Sequence, residues 1–255
     1  MPNHTIFNER PESQDRALKV IERLGYTIIP RSEAEQKRGS RKAVLFTGEL
    51  QAFLSKQTYQ FGSERRFFSG GSIAKAIQVV DQYSAAGLYA SNKEIYELLC
   101  SGKSMEEDLP DGTRQSFDIS YIDFEHPENN TFQVTDEFEV ERPNGKFARP
   151  DIVVLVNGIP LVVIECKKSG VDVMEGVTQN IRNWGEEYIP HLFRYTQLVM
   201  AVNPDKVLYG TCGTPAKYFV SWHEDDKEWL NNWCRKCSPD GQIKEQDRAL
   251  VSLLH

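Results

Sequence analysis

Three charged residues lie where two strongly apolar segments begin and end. Asp151 precedes the apolar run 152–156, while Glu165 and Lys167 close the run that starts at Ile159. Side chains two residues apart in a strand share a face, so Glu165 and Lys167 point the same way. Ionised carboxylates on central strands are costly unless they are paired or bind a cation, and Mg²⁺ prefers oxygen ligands of this kind. The spacing therefore predicts a hard-cation site beside a lysine that could hold the attacking water or neutralise charge developing on a phosphoryl group.

Whether the two carboxylates can share a cation depends on how the two segments pair. Asn157-Gly158 joins them and predicts a two-residue hairpin. In a regular hairpin of this kind Asp151 and Glu165 point to opposite faces, so a shared cation requires a shift of one residue. Pro160 cannot donate to the strand ladder. We therefore expect an irregularity such as a bulge near Ile159–Pro160.

The same spacing also permits a purely structural interpretation. Ion pairs are common at strand ends, and perturbed carboxylates there are not always functional. Arg149, Lys167 and Lys168 are close in sequence to the two carboxylates. In this interpretation Asp151 and Glu165 only neutralise neighbouring cations.

The elements that must position these residues follow from periodicity. The chain predicts an α/β domain with a mixed β-sheet core flanked by helices and a helical N-terminal part. We expect three regions: a helical part over residues 1–110, a core over 111–222 and a C-terminal tail over 223–255. Predicted helices lie around 11–24, 49–57, 73–83, 91–101, 172–188 and 250–254. A capping box of Ser91 and Glu94 opens the fourth of these helices, and Asp172 with Glu175 caps the fifth. Residues 61–71 are expected to form a loop. Predicted strands cover 117–121, 132–140, 151–156, 159–165, 196–202 and 207–211.

Charge and composition limit the kinds of partner. The 255 residues carry a net charge of −7, which by itself argues against nucleic acid. Residues 76–141 hold 3 Lys or Arg against 15 Asp or Glu, however, while residues 142–220 hold 9 against 7. A local anion-binding face therefore remains compatible with the total.

Cysteine usage and hydropathy indicate the compartment. The five cysteines are scattered, and Cys234 and Cys237 form a lone C-x-x-C without the second pair that a zinc site needs. The sequence has no apolar run long enough for a membrane helix, and its polar start does not resemble a signal peptide. We expect free thiols and a cytoplasmic protein.

A longer string surrounds the charged residues. Residues 149–153 read RPDIV, and residues 157–167 read NGIPLVVIECK. This string resembles the PD-(D/E)xK nuclease motif. More narrowly, it is similar to the N-terminal domain of the R (HsdR) subunit of type I restriction–modification enzymes. The similarity extends to residues 81–92, 175–183, 189–197 and 209–211.

The resemblance implies a Mg²⁺-dependent endonuclease with a restriction-endonuclease-like fold that hydrolyses phosphodiester bonds of double-stranded DNA. It implies that Asp151, Glu165 and the Cys166 carbonyl hold the metal and that Lys167 is catalytic. Further roles are implied on neighbouring helices. Gln179 matches the glutamine of the family's Q-x-x-x-Y motif. Asn183 stands where that motif has tyrosine, and Trp184 is the candidate substitute. Many members also have an acidic residue on the first helix, for which Glu12 is the candidate and Glu9 the alternate.

The resemblance also implies partners. Methylase and specificity subunits would supply sequence recognition, and ATP would serve only a translocase domain, for which this chain has no phosphate-binding G-x-x-x-x-G-K-[ST] loop. The chain is thus expected to correspond to the nuclease part of a longer subunit. Two alternatives stay open. One is a non-catalytic module that binds DNA or docks on a basic partner through its acidic stretch, and the other is a stand-alone PD-(D/E)xK nuclease.

Overall fold

The computed structural model describes residues 12–82, 86–223 and 227–255. In chain order, the first half contains α1 (Glu12–Arg23), β1 (Thr27–Ile28), α2 (Arg31–Arg38), α3 (Thr47–Leu54), β2 (Thr58–Phe61), β3 (Glu64–Phe67), α4 (Gly70–Asp81), α5 (Leu88–Ser101), β4 (Lys103–Asp108) and β5 (Arg114–Ile119). The second half contains β6 (Phe132–Asp136), β7 (Val140–Glu141), β8 (Phe147–Ala148), β9 (Ile152–Val156), β10 (Ile159–Cys166), α6 (Met174–Asn183), α7 (Pro190–Phe193), β11 (Leu198–Asn203), β12 (Lys206–Gly210), β13 (Val220–Ser221), α8 (Glu228–Cys237) and α9 (Glu245–Leu254).

A seven-stranded sheet organises the molecule, with strand order β1-β6-β9-β10-β11-β12-β13. The β1–β6 and β10–β11 pairs are parallel, and the other neighbours are antiparallel. Among the described residues, nine α-helices accompany this sheet and three further hairpins, β2–β3, β4–β5 and β7–β8. The predicted α/β class with a mixed sheet is therefore confirmed.

The two central strands bury both of their faces, as their continuous apolar sequence predicts. Val153 and Val163 face one core, which includes α6 and the helices before β4. Ile152 and Ile164 face the second core, which is formed with α1, α8 and α9. Since side chains alternate along a strand, Asp151 and Glu165 belong to the α6 side of the sheet.

The register of β9 and β10 changes within the hairpin. Ile159 pairs with Val156, as a two-residue Asn157-Gly158 loop requires, but Val162 pairs with Val154, one residue out of step. The shift lies between Pro160 and Val162, so the predicted irregularity is confirmed. It lies next to the proline, which cannot donate a ladder hydrogen bond.

The C-terminal residues pack against the sheet rather than extending from it. Leu230, Leu250 and Val251 are fully or almost fully buried in the second core, which contains α1, α8 and α9. Arg16 of α1 forms ion pairs with Asp240 and Asp247, at 2.8 and 2.6 Å. The sequence predicts only the last turn of α9 as a helix, since the polar residues of α8 and α9 obscure their apolar stripes.

Two local predictions in the N-terminal part are wrong. Residues 61–71, expected as a loop, include β3, which pairs with β2 through a turn at Gly62, where φ is +57°. Arginines and a glutamate in β3 hide the alternation. Helix α5 begins at Leu88 rather than after a cap at Ser91, which lies buried inside it. The neighbouring Asn92 donates to three backbone carbonyls around residues 193–196, a tertiary contact that local patterns do not reveal.

None of the described helices is long and apolar enough to span a bilayer. Predicted positions Glu9 and Tyr83 lie outside the described residues.

Candidate active site

The shifted hairpin brings Asp151, Glu165 and Lys167 to one end of the sheet. Beyond the register shift, Ile164 pairs with Ile152. The next residues towards the open end of the hairpin are therefore Glu165 and Asp151. Their carboxyl groups are in hydrogen-bonding contact. The backbone N–H of Cys166 donates to Asp151 Oδ2 at 2.7 Å. The carboxylates therefore point to the same side of the sheet, as a shared cation requires.

Burial makes this pair electrostatically unusual. The Glu165 side chain is fully buried, and no N–H or O–H donor among the described residues reaches its Oε2. Burial, reinforced by the adjacent Asp151 charge, raises the pKa of Glu165 well above its ordinary value. Burial also raises the pKa of Asp151, although the Cys166 N–H opposes this shift. Burial therefore favours the neutral form of Glu165 more than that of an exposed glutamate.

Helix α6 supplies the other polar groups around the carboxylates. Gln179 Oε1 accepts a hydrogen bond from Lys167 Nζ at 2.8 Å. One turn later, Asn183 Nδ2 donates to Glu165 Oε1 at 3.4 Å. Residues four apart share a helix face, so the spacing of Gln179 and Asn183 is the sequence signal for this arrangement.

The close approach of α6 depends on a glycine. A Cβ on Gly176 would lie 3.0 Å from Ala201 Cβ and 3.4 Å from Glu165 Cβ. A larger residue would therefore push α6 away from β10 and β11. Asp172 Oδ1 accepts from the N–H of Met174, which supports the predicted start of this helix. The helix ends at Asn183 rather than at the predicted Tyr188, because the chain turns at Gly185.

A cavity of about 680 Å³ opens over the site. Beyond the groups already described, Arg149 on its rim pairs with Glu137 at 2.8 Å, and the Arg142 guanidinium lies 3.8 Å from the centre of the Tyr188 ring. The hairpin β7–β8 forms one side of the rim. The basic residues that line the cavity are Arg142, Arg149, Lys167, Lys168 and Arg182, and the acidic ones are Glu137, Asp151 and Glu175.

Two predicted neighbours are not part of this arrangement. Glu12 is exposed at the start of α1, whereas Gln14, two residues on, is buried, lines the cavity and donates through Nε2 to the Asp151 carbonyl at 3.1 Å. Trp184 packs on Phe193 and Phe219 in the apolar core, so it does not replace the missing tyrosine. Asn183 itself contacts the Glu165 carboxylate.

The residues present fit a small, hard cation. Mg²⁺ in proteins commonly uses one or two carboxylates and completes its shell with water and substrate oxygens. Asp151 and Glu165 supply two adjacent carboxylates, and the buried Glu165 Oε2 lacks a donor. Within the described ranges, His, Cys, Asp and Glu form no group of three suited to a metal. That result also covers Cys234 and Cys237, which are buried free thiols.

Comparison with known families identifies the group to which the chain belongs. The model of the type I restriction enzyme R protein N terminus matches residues 6–218. The chain belongs to this family. The resemblance seen around Asp151 and Glu165 is thereby confirmed at the level of the family.

Individual relatives agree with the type I assignment. A Methanocaldococcus jannaschii protein, provisionally named as the type I restriction enzyme MjaIXP endonuclease subunit, is 32% identical over 87% of this chain and 21% of its own length. The type I restriction enzyme HindI endonuclease subunit of Haemophilus influenzae is 25% identical over 88% of this chain and 21% of its own. The EcoprrI endonuclease subunit of Escherichia coli is 33% identical over 46% of this chain and 36% of its own. The chain spans about a fifth of the length of the first two relatives.

Proposed function

We propose that this R-protein N-terminal region is a Mg²⁺-dependent nuclease domain of the PD-(D/E)xK type, which hydrolyses phosphodiester bonds of double-stranded DNA. One observation carries the proposal. Asp151 and Glu165 meet on the same side of two central strands, beneath a cavity with a basic rim, and Lys167 lies beside them. If the two carboxylates only ended their strands and paired with nearby cations, no register shift would be needed to bring them together.

The carboxylates of Asp151 and Glu165, with the Cys166 backbone carbonyl, would hold the metal. Mg²⁺ bound there would supply Lewis acidity towards a phosphate and its attacking water. Binding of a dication would also favour the ionised form of both carboxyl groups, whose pKa values are raised without it.

Lys167 would stabilise negative charge that develops on the phosphoryl oxygens. Its ammonium is held by Gln179, which fixes where that charge lies relative to the carboxylates. Gln179 therefore acts on the reaction through Lys167. Asn183 restrains Glu165 in a similar way, since it donates to the oxygen opposite the unpartnered one.

The rim would bind the DNA backbone. Arg142 is oriented by the Tyr188 ring and by its Nε–H bond to the Glu187 carbonyl at 3.1 Å. Lys146, at the exposed tip of the β7–β8 hairpin, extends the positive charge outward. Phosphate contacts of this kind give affinity without sequence preference. Target choice would then belong to specificity and methylase subunits, and ATP use to a translocase, in a cytoplasmic type I complex.

The decisive experiment is plasmid cleavage by an assembled type I complex whose R subunit carries this sequence. Asp151→Ala, Glu165→Ala and Lys167→Ala should each abolish cleavage and leave ATP hydrolysis intact. Retained cleavage in any one of the three would overturn the assignment of that residue. Mn²⁺ binding by the chain itself should be lost in the two carboxylate variants and kept in the lysine variant.

An acidic groove favours a second, non-catalytic candidate. A groove of about 910 Å³ beside β5 includes Asp118, Asp123, Glu125 and Glu128, against the cations Lys56 and Arg65. Such a face would suit a basic partner. A docking module would bind that partner equally well with and without Mn²⁺, and the Asp151→Ala and Glu165→Ala variants would cut plasmid normally.

A further inference from the structure

Two buried residues in the first turn of α1 reach the backbone of the candidate active site. Ser13 Oγ donates to the Lys167 carbonyl at 2.7 Å, and Gln14 Nε2 donates to the Asp151 carbonyl at 3.1 Å. Both side chains are completely buried. One short piece of α1 therefore contacts the backbone of both strand ends that carry the charged residues.

A third buried residue holds this turn from the opposite side. Gln246, near the start of α9, donates through Nε2 to the Ser13 backbone carbonyl at 2.6 Å. Its side chain is also completely buried. A continuous set of hydrogen bonds thus runs from α9 through the first turn of α1 to Lys167.

We propose that Ser13, Gln14 and Gln246 form a positioning bracket that sets the spacing between the Asp151 carboxylate and the Lys167 ammonium. The proposal rests on the nuclease function proposed above. None of the three groups contacts the reacting atoms in this arrangement. Ser13 and Gln14 act through the backbone of Lys167 and Asp151, and Gln246 acts through Ser13.

The bracket acts where the strand ladder alone gives least support. Lys167 is one residue beyond β10, and Asp151 is one residue before β9. The Lys167 N–H is held by the Val202 carbonyl, so Ser13 fixes its other backbone group. The Asp151 carbonyl already accepts from the Glu137 N–H, and Gln14 provides its second donor.

Polar groups buried in this way are costly to leave unpaired, so their presence calls for partners of fixed geometry. Apolar residues would pack α1 on the sheet equally well, as Val20 and Ile21 do about two turns later. The difference is that hydrogen bonds to Asp151 and Lys167 define a distance as well as a packing surface. Outer groups that orient metal ligands commonly change metal affinity or activity by about 10–100-fold.

The test uses Ser13→Ala, Gln14→Met and Gln246→Met, which remove a donor with little change of volume. The first measurement is Mn²⁺ affinity of the chain by electron paramagnetic resonance of free Mn²⁺. The second is the cleavage rate of the assembled complex at saturating DNA. We expect Gln14→Met to weaken Mn²⁺ binding and Ser13→Ala to lower kcat, each about tenfold, with little change in KM for DNA.

The matched control is Tyr26→Phe. Tyr26 Oη donates to the Leu254 carbonyl of α9 at 2.9 Å, so it also joins the N-terminal region to α9 but does not involve the site. Its removal should lower Tm without changing Mn²⁺ affinity or kcat. The bracket is refuted if the three variants behave like Tyr26→Phe, with a lower Tm and unchanged Mn²⁺ affinity and kcat.

The double variant Ser13→Ala with Gln246→Met tests whether the hydrogen bonds act as one path. If Gln246 acts through Ser13, the combined loss of kcat should be smaller than the product of the separate losses. Independent, multiplicative losses would remove α9 from the bracket. If instead Asp151→Ala and Glu165→Ala bind Mn²⁺ and cut DNA normally, the nuclease function itself fails, and this outcome is distinct from an ineffective bracket.

Discussion

Asp151 lies beside Glu165 because the β9–β10 ladder changes register between Pro160 and Val162. Without that shift the two carboxylates would lie on opposite faces of the sheet. The shift is therefore the structural condition for their hydrogen-bonding contact and for the raised pKa of Glu165. A buried like-charge pair of this kind is stable only with a proton or a cation.

The first prediction concerns Glu165→Gln in metal-free protein. The pKa of Glu165 is raised on folding, so the stabilising neutral form is fully present below the unfolded-state pKa and is lost as pH rises through the folded-state pKa. Glutamine stays neutral and can donate to Asp151. In EDTA, Glu165→Gln should raise Tm by about 3 °C or more at pH 8, and the gain should shrink towards pH 5.

Mg²⁺ supplies the control for this experiment. The parent chain should gain Tm with added Mg²⁺, because a ligand that binds only the folded state stabilises it. Glu165→Gln should gain much less. A variant that is less stable than the parent in EDTA at pH 8 would contradict the electrostatic account of the pair.

Much of this site is accessible from sequence. The apolar runs, the Asn157-Gly158 loop and Pro160 suffice to predict two central strands and their irregular pairing, because these features act locally. Glu165 and Lys167 then share a face by simple alternation.

The surroundings of the strands are not accessible in the same way. Gln14 rather than Glu12 contacts the site, since the rotation of α1 is set by its packing on α9 and the sheet, which involves residues more than 200 positions away. Local patterns also gave wrong predictions at β3, where charged residues interrupt the alternation, and at Ser91, which lies buried inside α5 instead of capping it. The rotation of α1 thus depends on tertiary contacts, whereas β3 pairs with the adjacent β2 although its charged residues hide the strand pattern.

The second prediction concerns Gln179→Leu. It removes the acceptor that holds Lys167 Nζ at 2.8 Å and leaves both carboxylates unchanged. The cleavage rate at saturating DNA should fall about tenfold, since misplacing a catalytic group by 1 Å can cost on the order of 100-fold. Mn²⁺ affinity should remain at the parent value.

The adjacent Thr178→Ala provides the comparison. Thr178 is exposed on the same helix, and its hydroxyl donates to the Met174 carbonyl within α6 at 3.0 Å. Its cleavage rate should match that of the parent. Equal cleavage rates for Gln179→Leu and Thr178→Ala would show that the hydrogen bond from Lys167 to Gln179 is not needed for the reaction.

The third prediction concerns DNA binding by the rim. Lys146→Glu reverses an exposed charge at the tip of the β7–β8 hairpin. DNA affinity, measured by fluorescence anisotropy with Ca²⁺ in place of Mg²⁺, should fall for all sequences alike. The slope of log affinity against log salt should decrease by about one for each phosphate contact removed.

Lys93→Glu is the matched charge reversal. Lys93 is exposed on α5, where it pairs with Glu97 at 3.8 Å, and it does not line the cavity. It changes the net charge by the same amount, so its effect measures the general electrostatic contribution. If the two variants lower affinity equally, the hairpin does not contact DNA.

The last prediction tests the attachment of the C-terminal residues to α1. Arg16 is buried between Asp247, which is fully buried, and Asp240, which is half exposed. Arg16→Met keeps the length of the side chain but leaves the Asp247 carboxylate without its counter-ion. Removing one partner of a buried ion pair typically costs about 3–5 kcal/mol, so the free energy of unfolding in urea should fall by that amount.

Asp240→Asn separates the buried pair from the exposed one. The adjacent Arg16 guanidinium lowers the pKa of Asp240, so its ion pair stabilises the fold above the unfolded-state pKa of aspartate, and this stabilisation is lost as pH falls through the lowered folded-state pKa. Because this carboxylate is in water, the loss at pH 7 should be a small fraction of that for Arg16→Met. Similar losses for both variants would mean that Asp247 finds another partner when Arg16 is absent, and that the C-terminal helices are held on the sheet mainly by their apolar faces.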